Sequence, residues 1–176
     1  KIGILGFAFK ANTNDTRESS AIQISKELLS EGANIIINDP KVNEKQIAKD
    51  LGKNPKSESK NNFEQGSWSL EEDFELIFKN SDAILILTDW EEFYEINWED
   101  IFGVVKKPIW IFDTRNVCPN GKYLKKIGFN FSQIIAFVVA TKLNGVVITS
   151  PSMPKALYAI SNATVPLDTN IILSDT

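Results

Sequence analysis

The chain has 176 residues, of which 43% are hydrophobic and 24% charged, with a net charge of −4. That is enough for one globular domain and an appendage, and too little for two full α/β domains. The acidic balance argues against a nucleic-acid binder, which needs a basic stripe, yet leaves room for a small phosphate-bearing ligand held by two or three cations. With no histidine and a single cysteine, Cys118, intrachain disulfides, ordinary zinc sites and Ser-His-Asp or Cys-His catalysis are excluded on inventory.

Taken in chain order, Ile2 to Leu5 is a short apolar run that ends at Gly6, as a buried strand would. The segment Ser20 to Glu31 places Ile22, Ile24, Leu28 and Leu29 on one helical face, and Gly32 follows where a helix C-terminus favours glycine. Ile35 to Ile37 reads as a second strand stopped by Asp39 and Pro40. A weak helix is expected over 43–51 and a solvated loop over 52–67, which holds few apolar side chains. Ser69 with Glu72 has capping-box spacing, so a helix carrying Leu70, Phe74, Ile77 and Phe78 is expected before a strand at Ala83 to Leu87. A helix over Trp98 to Val104, a strand over Ile109 to Phe112, a short helix over Lys122 to Ile127 and a last strand at Phe129 to Phe131 complete the series. This alternation predicts an α/β, doubly wound, mostly parallel sheet of Rossmann-like type.

The domain is expected to occupy residues 1–132. Residues 133–176 carry only Lys142, Lys155, Asp168 and Asp175 as charges and are expected to be a tail, either a hairpin turning at Asn144-Gly145 or a disordered extension. The apolar stretch from Ile134 to Ala140 is shorter than the ~20 residues a membrane helix needs, so no membrane span is expected. Opening at Lys1 on a strand, with neither initiator Met nor signal peptide, the chain reads as a fragment of a cytoplasmic protein.

In an open parallel sheet, ligands bind beyond the carboxyl ends of the strands. The first exit, Gly6 to Ser20, is dense in polar side chains and contains Lys10 and Arg17. Gly3 and Gly6 fall short of the G-x-G-x-x-G dinucleotide fingerprint, because Phe7, Ala8 and Phe9 follow where backbone would have to approach pyrophosphate. Asp39, at the second exit, is either a strand terminator or a ribose-binding acid. Arg115, at the exit of the Ile109–Phe112 strand, brings a planar fork of donors that fits phosphate oxygens; its alternative is an ion pair with a loop carboxylate. Arg17 could equally join a network with Asp15 and Glu18. Cys118 sits in a turn-like setting as an ordinary thiol.

The segment KIGILGFAFKANTNDTRESSAIQISKELLSEGANIIINDPKV, followed by AILILTDWEEFYEINWEDI and KPIWIFDTRNV, resembles the C-terminal domain of the UDP-glucose and GDP-mannose dehydrogenase family. The loop FAFKANTNDTRESS resembles the UDP-glucose members more than the GDP-mannose ones. The resemblance implies that Phe9 and Lys10 lie at the substrate nucleotide, that Arg115 reaches the sugar nucleotide, and that Arg17 faces NAD held by another domain. It further implies a parent enzyme, homo-oligomeric, that oxidises the sugar 6-hydroxyl to a carboxylate with two NAD, through a nucleophilic cysteine belonging to an N-terminal part missing here. Cys118 does not match that nucleophile's motif, and Ser20 stands where many relatives carry proline. The runners-up are a UDP-acetamidosugar or GDP-mannose enzyme and a non-catalytic doubly wound module that binds a phosphorylated ligand. For that module, Asp39, Asp89 and Asp113 would supply a metal site at the strand ends.

Overall fold

The computed structural model describes residues 1–57 and 66–133. Six strands form one all-parallel sheet: β1 Ile2–Leu5, β2 Asn34–Asn38, β3 Ser67–Leu70, β4 Ala83–Ile86, β5 Trp110–Asp113 and β6 Asn130–Gln133, in the order β3-β2-β1-β4-β5-β6. The central strands β1 and β4 are buried along their whole length, because helices cover both faces of such a sheet and favour unbroken apolar runs. Register is continuous across the middle, with Ile2 opposite both Ile35 and Ala83, and Leu5 opposite Asn38 and Ile86. Every strand therefore ends at the same edge. The chain crosses from β3 back to β4 beside β1, which places the reversal of strand order between the exits of β1 and β4.

The helices are α1 Ser20–Ser30, α2 Glu44–Leu51, α3 Phe74–Asn80, α4 Glu91–Tyr94, α5 Trp98–Val104 and α6 Gly121–Ile127. Most begin on a short polar side chain that accepts from a backbone N–H of the first turn: Ser19 for α1, Asn43 for α2, Asp73 for α3, Asn97 for α5 and Asn120 for α6. Gly32 and Gly52 take positive φ where α1 and α2 end, the conformation a helix stop asks for. At the amino edge, Trp98 packs edge-on against both Phe78 and Phe129 and closes the core beneath α3 and α5.

One expectation fails. Ser69 does not start a helix: it lies in strand β3, and α3 begins at Phe74 with Asp73 Oδ1 accepting from Glu75 N at 2.9 Å. Burial decides against the capping pattern. Trp68 is fully buried opposite Ile35, and its Nε1–H donates to the Lys53 carbonyl at 2.8 Å. Asn38 then donates to the carbonyls of Glu71 and Glu72, turning the chain before α3. The single-turn α4 was not expected. Gln133, expected to open the tail, instead ends β6; the rest of the expected tail, residues 134–176 with its hairpin, lies outside the described residues.

Candidate functional site at the carboxyl edge

The loop that leaves β1 is fastened from several sides. Gly6 has φ of 89° and a Cβ there would lie 2.8 Å from the Thr88 backbone nitrogen; the turn needs both the left-handed conformation and the close approach. Phe7 is fully buried, its carbonyl accepting from Ser19 Oγ at 2.7 Å. Thr88 Oγ1 donates to the Ala8 carbonyl at 2.7 Å, and Phe9 N donates to the Asp15 carbonyl at 2.8 Å, which folds the loop back on itself. From this fixed backbone Phe9 stands out 46% exposed, an unusual position for a phenylalanine, with Lys10 exposed beside it. Asn12 and Glu18 adopt positive φ within the same loop, and such strain persists only where surrounding structure over-determines it.

Arg115 reaches across the edge from the exit of β5. Its Nε–H donates to the Leu87 carbonyl at 2.8 Å and one Nη2–H to the Phe9 carbonyl at 3.4 Å. One guanidinium thus spans the exits of β5, β4 and β1. Among the described residues no carboxylate lies within ion-pairing distance of it, so the ion-pair alternative does not describe this arginine. Two of its five N–H groups are spent on carbonyls and three remain. The turn that carries it is built on Asp113, wholly buried, whose carboxylate accepts from Arg115 N at 2.9 Å and Cys118 N at 2.7 Å. Asn116 takes φ of 58° to complete that turn. Structure thus brings Phe9 and Arg115 into contact, with Lys10 adjoining.

Arg17 behaves differently. Its side chain is 87% exposed and pairs with Asp15 at 2.7 Å, and the guanidinium's hydrogen bonds hold the Asp15 carboxyl down at about 2. Cys118 is buried, and desolvation followed by the neighbouring Asp113 carboxylate pushes its thiol far above the ordinary range. A thiol in that setting is not a nucleophile.

Asp39 is the residue whose role the sequence conceals. It does end a strand, but it also collects five N–H donors. Oδ2 accepts from Phe7 N at 2.7 Å, Ala8 N at 2.9 Å and Trp90 Nε1 at 3.1 Å; Oδ1 accepts from Lys41 N and Val42 N, both at 2.9 Å. No acceptor capacity is left for a ribose hydroxyl. The same saturation takes Asp39 out of the acidic trio considered for a metal-binding module, and no group of three or more potential ligands for a metal occurs among the described residues. Nearby, desolvation and then the Asp39 charge raise the Glu92 carboxyl. An aspartate directly before proline at a strand end could have signalled the local turn with Lys41 and Val42. Its bonds to Phe7, Ala8 and Trp90 span 32, 31 and 51 residues and leave no local trace.

Such an edge, polar and tightly tethered at the point where strand order reverses, is where domains of the doubly wound α/β class bind their ligands. Residues 3–120 match the UDP-glucose/GDP-mannose dehydrogenase family, UDP binding domain. The chain is 40% identical over 129 residues to UDP-glucose 6-dehydrogenase of Caenorhabditis elegans, covering 73% of this chain and 26% of that protein. It is 41% identical over 144 residues to UDP-glucose 6-dehydrogenase of Gallus gallus, covering 81% and 29%. A UDP-glucose dehydrogenase structure from the hyperthermophilic archaeon Pyrobaculum islandicum superposes with a TM-score of 0.51 at 22% identity, over 79% of this chain and 25% of that one; this is a likeness of fold. The chain therefore belongs to the UDP-glucose/GDP-mannose dehydrogenase family. It spans a little over a quarter of the length of the curated relatives it matches.

Proposed function

We propose that the carboxyl edge of this sheet binds the nucleotide diphosphate of UDP-glucose, as the C-terminal part of an NAD-dependent UDP-glucose 6-dehydrogenase. The observation that carries this reading is the Arg115 guanidinium, which lies across two other strand exits, carries three unspent donors and stands beside exposed Phe9 and Lys10. In this reading Phe9 offers a ring face to the uracil or ribose, while Lys10 and Arg115 neutralise the diphosphate. Arg17 turns toward NAD, which is held by a separate N-terminal domain. Homo-oligomerisation of the whole enzyme and a cytoplasmic setting are part of the same proposal.

Calorimetric titration of the chain with UDP, without divalent metal, tests the reading directly. Micromolar to submillimolar binding is expected, with competition by UDP-glucose and much weaker competition by GDP-mannose. Absence of UDP binding, or binding only when a divalent cation is added, overturns it. Preference for GDP-mannose would move the chain to the other branch of its family.

A further inference from the structure

Three strand exits meet on one carboxylate that the nucleotide reading leaves unused. Asp39 Oδ2 holds the peptide N–H groups of Phe7 and Ala8 from the β1 exit and the indole of Trp90 from the β4 exit, while Oδ1 holds its own β2 exit through Lys41 and Val42. These contacts lie next to the groups that seat Arg115. Ala8 immediately precedes Phe9, whose carbonyl is one acceptor of the Arg115 guanidinium. Leu87, whose carbonyl is the other, lies three residues before Trp90. We propose that Asp39 is a positioning residue for the nucleotide: without touching the ligand, it sets the placement of the Phe9–Lys10 segment and of both Arg115 acceptors, and thereby sets UDP affinity. The inference rests on the reading that this edge binds UDP.

The chemistry of the clamp is specific to a carboxylate. Two anionic oxygens offer about four lone-pair directions, and here they face only N–H donors. Asparagine has one acceptor oxygen and an NH2 group, so whichever way it turns, one set of donors faces another donor. Either Phe7, Ala8 and Trp90 lose their acceptor, or Lys41 and Val42 do. A buried donor left without a partner is costly, and the chain relieves it by moving. Movement at Phe7 and Ala8 passes straight into Phe9 and Lys10.

The test compares two variants of the full chain, with a third in reserve and UDP as the probe. Asp39→Asn is expected to weaken UDP at least tenfold and to speed hydrogen exchange at the Phe7 and Ala8 amides at least tenfold, with smaller changes at Ile4 and Ile37 in the strands. Phe129→Leu, which loosens the aromatic packing at the opposite edge, should lower the thermal midpoint while leaving UDP affinity within twofold. UDP affinity within twofold of wild type in Asp39→Asn, or a loss no larger than that of Phe129→Leu, overturns the proposal. Should Asp39→Asn fail to fold, Trp90→Phe takes its place; it removes one donor and keeps the carboxylate. UDP should then weaken threefold or more, and an unchanged affinity overturns the three-way coupling. If wild type itself does not bind UDP, the functional reading fails and the affinity claim with it. The exchange measurement, made without nucleotide, judges the clamp separately: unchanged exchange at Phe7 and Ala8 in Asp39→Asn overturns it.

Discussion

Arg115 illustrates how one side chain can be both part of the scaffold and part of a binding surface. Its two bonds to carbonyls fix the plane of the guanidinium before any ligand arrives, so little conformational freedom is left to lose on binding. Truncation to Ala should weaken UDP by roughly ten- to a hundredfold, the equivalent of about 1.5 to 3 kcal/mol for a charge-assisted hydrogen bond. Arg115→Lys should fall between, restoring charge without the planar fork. Calorimetry with UDP, beside thermal unfolding, checks both. Cys118 gives a second expectation. Its folded-state value is raised above the reference of 9.0, so it favours the folded protein fully below that reference. As pH climbs past 9.0 the unfolded chain ionises first and the contribution is lost. Alkylation by iodoacetamide at neutral pH should accordingly follow global unfolding in denaturant, and rapid labelling of the native protein would contradict the buried placement.

At the scale of elements, the turn after β1 is the tightest point. Gly6→Ala would force an alanine into φ of 89° and press a methyl against Thr88, a loss of about 2 to 4 kcal/mol visible in chemical denaturation. Asp73→Ala removes the cap of α3 and should cost about 1 kcal/mol by the same measurement. The elements differ in how far the sequence discloses them. The strands β1, β2 and β4 announce themselves as apolar runs, and α1 by its spacing and the glycine after it. Strand β3 does not, since Trp68 and Leu70 are its only apolar residues and Ser69 with Glu72 just beyond it mimics a helix start. Helix α4 is a single turn with no side-chain cap, too short to leave a period. At the site, strand exits could be located in the sequence, and with them Phe9, Lys10, Arg17 and Arg115. The partners could not, because Arg115 finds its acceptors 28 and 106 residues away. Only the register of the sheet brings those positions together.

For the molecule as a whole, the buried core runs from Ile2 to Phe129 within the described residues, and the family match ends at residue 120. We propose that residues 1–133 hold the fold on their own. A chain truncated after Gln133 should keep its helical circular dichroism, and its UDP affinity should stay within about twofold; collapse would show that later residues complete the edge of β6. The chain by itself should not reduce NAD in the presence of UDP-glucose, since the proposed cofactor-binding domain and nucleophile lie outside it. Turnover by purified chain that Cys118→Ser abolishes would refute this. The latch made by Arg115 also has a consequence for the order in which the protein is made. Synthesis runs from the amino terminus, and domains assemble as they emerge. Within this domain the loop bearing Phe9 emerges before β5, yet its carbonyl waits for a donor 106 residues downstream. Until β5 has docked on β4, the nascent domain lacks the Arg115 bond across its β1 exit, so competence to bind should arrive late, with the last inner strand.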